Sequence, residues 1–529
     1  MDLFTSSATV RAPLTRRLLL AFPALLLAAC AGTPPRPAGP VELVVLHVND
    51  MHGQVHPRRA TWVDRNNPPL AGGLPRVAAY VKRVREEEQR AGRDVLVLDG
   101  GDWHQGTPEG LLDQGREFVR ALAAVGFDAM ALGNHEFDHG VDSMRALLAD
   151  VRPPVVCANL RERASGERVA WVEPWRIVEV GGLRVALVGF VTPETPSITH
   201  PDARTFDFTD PAQELTQVKR ELGSRADWIL PLGHIGVDEA LALARAHPEL
   251  PLIVTGHSHT FLREGRREGG TLIVQAGAKA SVVGRVELTL DGPSAKVTNA
   301  KAQLVELLEA PNEAQRNERV ESLCAQLAAR AESAMGEVVG ELSAPLTTWG
   351  KPYSTSAGSW ICDLMRARTG VDVAFHNRGG VRAEIDVGPV TRREVFEMSP
   401  FDNNIALLEL TGAELEQIVR AATEGTAHSG LDYSGCVVRV RESREHSAVQ
   451  LNFVSLEIGG KPLEREKRYR IATNSYLAAG GDGFDLLARS TPRSEDPILI
   501  RDLTELEFKR GAPIAAPTDA RIVAQESAP

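Results

Sequence analysis

Seven side chains able to hold divalent metal ions recur along the first half of this chain: Asp50 and His52, Asp102, Asn134, His234, and His257 with His259. Each group follows a short apolar run, and four of the five groups stand directly after a glycine: Gly101, Gly133, Gly233 and Gly256. Taken singly, Asp50-Met51-His52 reads as a solvated turn and Gly101-Asp102 as a helix N-cap. Taken together, each at a strand end, they describe a binuclear metal centre. Two divalent ions about 3.5–4 Å apart need a bridging carboxylate and roughly three further ligands each. Asp50, His52 and His259 can serve the first ion and Asn134, His234 and His257 the second, while the two oxygens of Asp102 can bridge them. Nitrogen and oxygen donors without thiolate suit Zn, Mn, Fe or Co better than Ca or Mg. The chemistry such a pair of ions supplies is hydrolysis by an activated water. His135, just outside the ligand set, is placed to stabilise or protonate oxygens as charge develops, and Asp138 can orient its imidazole and raise its pKa. These two form the candidate catalytic pair. His47, His56, His104, His139 and His200 read as supporting or surface residues.

The elements that must position these groups are legible around them. Residues 41–47, 95–98, 129–132, 228–232 and 252–255 are short apolar runs rich in β-branched residues, the pattern of buried strands. A glycine lets the chain turn sharply as each strand exits, and ligand sites of α/β sheets lie at the C-terminal ends of strands. Residues 72–90 carry Leu74, Val77, Val81 and Val84 at helical spacing, 184–190 and 272–275 are further strands, and 282–290 is an antiparallel closing strand. One layered α/β domain is expected over 41–295. Residues 296–336 read as a helical connector, with Val320, Leu323, Cys324 and Leu327 on one face. A second, smaller α/β domain is expected over 337–523. Its Gly-rich loops at 376–382, 399–403 and 474–484 hold isolated aromatics and charges, the make-up of a binding face.

At 529 residues the chain is long enough for two or three domains. A net charge of −11 excludes a surface built to neutralise a nucleic-acid polymer. The five cysteines are widely spaced and form neither a metal knuckle nor a disulfide framework; Cys362 and Cys436 are a possible pair or two buried thiols. Arg11, Arg16 and Arg17 precede a short apolar segment, so residues 1–30 read as a signal peptide. Leu27-Ala28-Ala29-Cys30 resembles a bacterial lipobox, which implies a lipid on Cys30, a flexible tether over 31–40, and export to the periplasm or the outer-membrane face.

The metal-competent motifs, Asp50-x-His52, Gly101-Asp102, Gly133-Asn134-His135-Glu136, Gly233-His234 and Gly256-His257-Ser258-His259, resemble the metallophosphoesterase signature. Asn377-Arg378-Gly379-Gly380-Val381-Arg382, Pro400-Phe401-x-Asn403 and Gly480-Gly481-Asp482-Gly483-Phe484 resemble the C-terminal domain of the 5′-nucleotidase family. The resemblance implies a four-layer metallophosphoesterase sandwich followed by a smaller substrate-binding domain, two divalent ions, and release of phosphate from nucleoside 5′-monophosphates. Cyclic nucleotides and nucleotide sugars are the alternative substrates on the same scaffold, and a non-catalytic nucleotide-binding lipoprotein is the alternative of another class. It also implies that Phe401 and Tyr476 stack on the base, Asp482 accepts from ribose hydroxyls, Asn377, Gly379 and Asn403 meet polar edges of the ligand, and Arg382 pairs with phosphate. The family pattern has an arginine followed by Asn-Leu/Met-Gly near the start of this domain. Here Lys351-Pro352-Tyr353-Ser354-Thr355-Ser356 stands instead, with Ser356 in place of the asparagine, so a phosphate contact is missing or has moved to Lys351.

Overall fold

Why the apolar runs are nearly continuous becomes clear from where their strands lie: each is buried on both faces. A computed structural model describes residues 36–525, apart from 61–62, 65–66, 350–352, 446–447, 492 and 512. In the first domain we number twelve strands: β1 (Val41–Val48), β2 (Asp94–Asp99), β3 (Ala129–Ala131), β4 (Val155–Val156), β5 (Trp175–Val180), β6 (Leu183–Val191), β7 (Trp228–His234), β8 (Leu252–Thr255), β9 (Arg266–Glu268), β10 (Thr271–Val274), β11 (Val282–Asp291) and β12 (Lys296–Glu306). They form two six-stranded sheets, ordered β12-β11-β1-β2-β3-β4 and β9-β10-β8-β7-β6-β5. Strands β1 to β4 run parallel, as do β6, β7, β8 and β10. Leu43, Val45, Leu96 and Leu98 of the first sheet interdigitate with Val185, Leu187, Leu230 and Leu232 of the second. The alternate residues Val44, Leu46 and Val48 pack outward on helices carrying Val77, Val81, Phe118 and Leu122. Helices carrying Leu215, Val218, Leu241 and Ala244 cover the outer face of the second sheet. The result is the expected helix–sheet–sheet–helix sandwich.

The segment 296–336 departs from the expected helical connector. Residues Lys296–Glu306 are β12, paired antiparallel with β11 along its length. Ala, Lys and Gln gave this stretch a helical composition, but it is a half-exposed edge strand whose stability comes from the ladder rather than from propensity. The helix begins only at Glu318 and runs Glu318–Met335, with Val320, Cys324 and Leu327 buried against the first domain's core. Of the expected flexible tether, Pro37 and Gly39 lie against Gly292, whose absent side chain leaves room for both their carbonyl oxygens. The signal-peptide reading, Cys30 and Lys351 fall outside the described residues. Among the described residues no helix is long and apolar enough to cross a membrane, and Cys157, Cys324, Cys362 and Cys436 are free, buried thiols.

The second domain is built on a five-stranded mixed sheet. Its strands are β13 (Val373–Asn377), β14 (Asn404–Thr411), β15 (Leu431–Ser434), β16 (Arg468–Asn474) and β17 (Arg493–Leu499), ordered β15-β13-β16-β14-β17. One face packs on the helix Gly412–Glu424 and on a further sheet carrying Val438, Val440 and Leu456. The other packs on the helices Ser356–Thr369 and Ile500–Phe508. The three Gly-rich loops leave the ends of β13 and β16 and enter the start of β14.

Candidate metal centre and active site

The parallel strands deliver their terminal residues to one rim. Asp50 and His52 follow β1, Asp102 follows β2, Asn134 and His135 follow β3, His234 ends β7, and His257 and His259 follow β8. Asp50, His52 and His259 bring ligand atoms within 4.8 Å of one another, and so do Asp50, Asp102 and His234. His259 Nε2 is 3.1 Å from Asp50 Oδ1 and 3.0 Å from His52 Nε2. Asp102 Oδ2 faces a histidine of each expected set, at 3.1 Å from His234 Nε2 and 3.9 Å from His52 Nε2. Asn134 Oδ1 lies 3.0 Å from His257 Nδ1. Asp50 stands in both groups, whereas the sequence assigned it to one ion.

The glycines before these residues act differently from the expected turn-makers. Of the four, only Gly101 has left-handed backbone, at φ 91°. Gly133 and Gly256 are required by close approach: a Cβ on Gly133 would sit 2.1 Å from Asp102 Oδ1, and one on Gly256 would sit 2.9 Å from His234 Nδ1. The left-handed turns fall instead on Asp50, His52, Asp102, His257 and His259, with φ between 48° and 80°. Such backbone costs of order 1–3 kcal/mol per residue and persists only where its surroundings over-determine it. Asn49 provides part of that determination, donating to Asp50 Oδ2 and the Gly277 carbonyl and accepting from the Ala276 N–H. Gln275 does the same for the loop after β8, donating to the Gly256 carbonyl and accepting from Thr260 N–H and Ser258 Oγ.

The donor chemistry fits divalent cations. His234 Nδ1 donates to the Gly100 carbonyl at 2.7 Å and His52 Nδ1 to the Gln105 carbonyl at 2.8 Å. Each bond turns an Nε2 toward the carboxylates, the arrangement that orients metal-ligating histidines. His234 Nε2 is buried and faces Asp102 Oδ2 at 3.1 Å without the alignment of a hydrogen bond. Burial opposes charging His234, but Asp102 and Asp50 outweigh it and carry its pKa to about 10. Two buried carboxylates thus demand positive charge at this point. Burial, and then His234, hold His257 down to about 4, and burial with Arg382 holds His52 well below the usual imidazole range. Neutral imidazoles grouped around buried carboxylates are the donor set a divalent ion needs.

Beside this cluster His135 Nδ1 meets Asp138 Oδ2 at 2.6 Å, and Asp138 Oδ1 accepts from Thr199 Oγ1 at 2.8 Å. Burial opposes charging His135, but Asp138 and Asp102 raise its pKa above the ordinary value. His135 Nε2 points toward Asp102 Oδ2, 3.9 Å away. Glu136, to which the sequence gave no role, is 3% exposed and accepts the N–H groups of Asp102, Trp103 and Gly133. It thereby fixes two ligand loops to each other. Its one signal was an acid inside a run buried on both sides.

The second domain reaches this cluster at two points. Arg382 Nη2 is 3.4 Å from His52 Nε2, and the Phe401 ring stacks on that of His135. Other predicted substrate residues form a network of their own. Asn474 Nδ2 donates to Asn377 Oδ1, and Asn377 Nδ2 to Asp482 Oδ2, both at 2.8 Å. The Tyr476 hydroxyl lies 2.8 Å from Asp482 Oδ1 and 3.1 Å from the Ser197 carbonyl of the first domain. The Tyr476 ring covers Gly481, where any Cβ would collide with it. Asn403 Oδ1 accepts from Ser475 Oγ at 3.1 Å, and Gly379 N–H donates to Ser429 Oγ at 3.2 Å. Ser356, in place of the family's asparagine, accepts from Thr347 N–H at 2.8 Å. Sequence reasoning missed Arg393, which binds both oxygens of Glu109 across the two domains at 2.6 and 2.8 Å.

Comparison with known proteins agrees with this anatomy. Residues 43–261 match the model of the calcineurin-like phosphoesterases, and residues 338–489 that of the 5′-nucleotidase C-terminal domain. The chain is 28% identical to snake venom 5′-nucleotidase of Crotalus adamanteus over 85% of its own length and 83% of that protein. The crystal structure of a 5′-nucleotidase precursor from Thermus thermophilus matches with a TM-score of 0.80 and 28% identity, over 92% of this chain and 100% of that one. The sulfate thiohydrolase SoxB of Thermus thermophilus shares the fold at a TM-score of 0.77 and 19% identity, over 91% and 96% of the two chains. The first domain is therefore a calcineurin-like phosphoesterase domain, of a class that uses divalent metals. The second domain and the relatives above place the chain in the 5′-nucleotidase-type phosphohydrolase family; it is a hydrolase.

Proposed function

We propose that this protein releases phosphate from nucleoside 5′-monophosphates outside the cytoplasm. The observation that carries the reading is the meeting of the two domains, where Arg382 approaches His52 while Phe401 lies on His135. A cation for a phosphate and a flat ring for a base are thereby set beside the same ligand cluster. Asp50, His52, Asp102, Asn134, His234, His257 and His259 would hold two divalent ions, Zn, Mn or Co. Bound there, the ions would supply Lewis acidity and lower the pKa of water. Arg382 pairs with the phosphoryl oxygens in the bidentate manner open to a guanidinium. His135, held at Nδ1 by Asp138, directs its Nε2 side at those oxygens and brings a proton or positive charge as the ester bond breaks. Phe401 and Tyr476 stack on the base. Asn377 and Asp482, already ordered by their own hydrogen bonds, receive the sugar, with Gly379 and Asn403 at its rim. Export and a lipid on Cys30 rest on the N-terminal sequence alone.

The test is phosphate release by protein beginning after Cys30, chelated and then resupplied with Mn, Zn or Co. AMP, cyclic AMP, UDP-glucose and bis-p-nitrophenyl phosphate are compared. Metal-restored turnover of AMP well above the others is expected. Turnover of the diester alone would sink the monophosphate assignment.

A further inference from the structure

Lys279 lies in the loop between β10 and β11 in an unusual setting. It and Ala280 both have left-handed backbone, at φ 57° and 50°. Neither is a glycine or an asparagine, so the loop stores strain that its neighbours must hold. The Lys279 N–H donates to the carbonyl of Asp50 at 2.6 Å. The Ala280 carbonyl fills the space that a Cβ on Gly72 would need, and it accepts from the Gly73 N–H at 3.3 Å. The loop is thus clamped on one side to the expected metal ligands and on the other to the entry of the helix Leu74–Arg90.

From this anchored backbone the side chain crosses to the second domain, where Nζ donates to the main-chain carbonyl of Arg382 at 2.9 Å. Among the described residues no carboxylate stands within ion-pairing distance of Nζ. The half-buried amine thus has a main-chain carbonyl of the opposite domain, and not a carboxylate, as its partner. The Arg382 N–H is itself held by the Met398 carbonyl at 2.9 Å, so both main-chain groups of this residue are fixed.

We propose that Lys279 is a positioning residue that sets the Arg382 guanidinium against the metal-ligand cluster from the opposite domain. The inference rests on Arg382 being the phosphate-binding residue proposed above. It also accounts for a cation at the interface of a chain that lacks the family's other arginine around residues 351–356.

The experiment compares Lys279→Met, Lys279→Arg, Arg382→Ala and the double variant Lys279→Met/Arg382→Ala in metal-loaded protein. Two readouts are taken: kcat and KM for AMP, and the affinity for inorganic phosphate by calorimetry. Misplacing a catalytic-site group by about 1 Å costs up to about 100-fold, so Lys279→Met is expected to lower kcat/KM about 10–100-fold. It should weaken phosphate binding in the same sense as Arg382→Ala and leave bound metal unchanged. Lys279→Arg should recover part of the loss, and Lys279→Met should add less than about twofold on top of Arg382→Ala. Wild-type behaviour of Lys279→Met, or a full additive loss in the double variant, would overturn the proposal. If Lys279→Met fails to fold, Lys279→Arg is compared in the wild-type and Arg382→Ala backgrounds, and an equal loss of phosphate affinity in both would overturn the proposal as well. Absence of AMP turnover in the wild type would instead remove the assigned substrate, and the phosphate-binding arm would still decide the role of Lys279.

Discussion

The ring of Phe401, from the loop before β14, stands 6.0 Å from that of His135, beyond β3, and within 25° of parallel to it. The side chains proposed for base recognition and for chemistry thus stack across two domains. Stacking of a base on an aromatic ring contributes about 1–3 kcal/mol. Phe401→Ala is therefore expected to raise KM for AMP by about 5–150-fold, and to change KM for p-nitrophenyl phosphate, which has no base, far less. Equal effects on the two substrates would remove Phe401 from base recognition.

Gly133 leaves no room for a side chain, since a Cβ would lie 2.1 Å from Asp102 Oδ1. Gly133→Ala must displace Asp102 and with it the expected bridge between two ions. The expected outcome is loss of at least one bound metal per chain and a fall in kcat of about 100-fold or more, with secondary structure intact by circular dichroism. Full metal content in that variant would mean that Asp102 is not a ligand.

Much of this site was legible in the sequence because strand ends are a small set of places. Apolar runs buried on both faces locate the strands, and the residue after each run is where a sheet presents ligands. Convergence on two ions was expected from the pattern, but the packing of two sheets face to face that brings it about came from the family resemblance and not from the residues. The burden of left-handed backbone on Asp50, His52, Asp102, His257 and His259 was hidden too, since sequence patterns assign positive φ to glycine. The strand Lys296–Glu306 was missed because an edge strand takes its stability from a partner distant in sequence. Lys279 and Arg393 had no signal of their own and Glu136 only that of an acid in a buried run: each makes its contact with a main-chain or cross-domain partner.

Glu109 is 1% exposed and is held by both oxygens to Arg393 of the second domain, with His56 at 3.1 Å. Removing one partner of a buried pair strands the other charge, at about 3–5 kcal/mol. Arg393→Met should lower stability toward denaturant by about 3 kcal/mol, and Glu109→Gln in the same chain should recover part of that. An unchanged unfolding midpoint would show that the pair holds nothing in place.

His428 Nδ1 lies 3.3 Å from Glu194 Oε1, again second domain to first. The bond to Glu194 raises His428 above 6.5 against the effect of burial, and the same bond lowers Glu194 below 4.5. A histidine with a raised folded pKa stabilises fully below its unfolded value and loses that contribution as pH rises through the folded one; a lowered glutamate loses its share as pH falls through its folded value. The pair should therefore stabilise most between 4.5 and 6.5 and fade above. Both side chains are about a third or more exposed, so the effect is small. His428→Gln should lower Tm more near about pH 5.5 than near about pH 8.5; a difference independent of pH would contradict the pairing.

Seven converging side chains are proposed to hold two divalent ions that the phosphohydrolase reaction requires. Titrating Mn or Zn into chelated protein, while following bound metal and phosphate release from AMP together, tests this most directly. Turnover should rise as the second equivalent binds, and Asp102→Asn should bind less metal and stay inactive. Full turnover in the chelated protein, or activity saturating with no metal bound, would contradict the account.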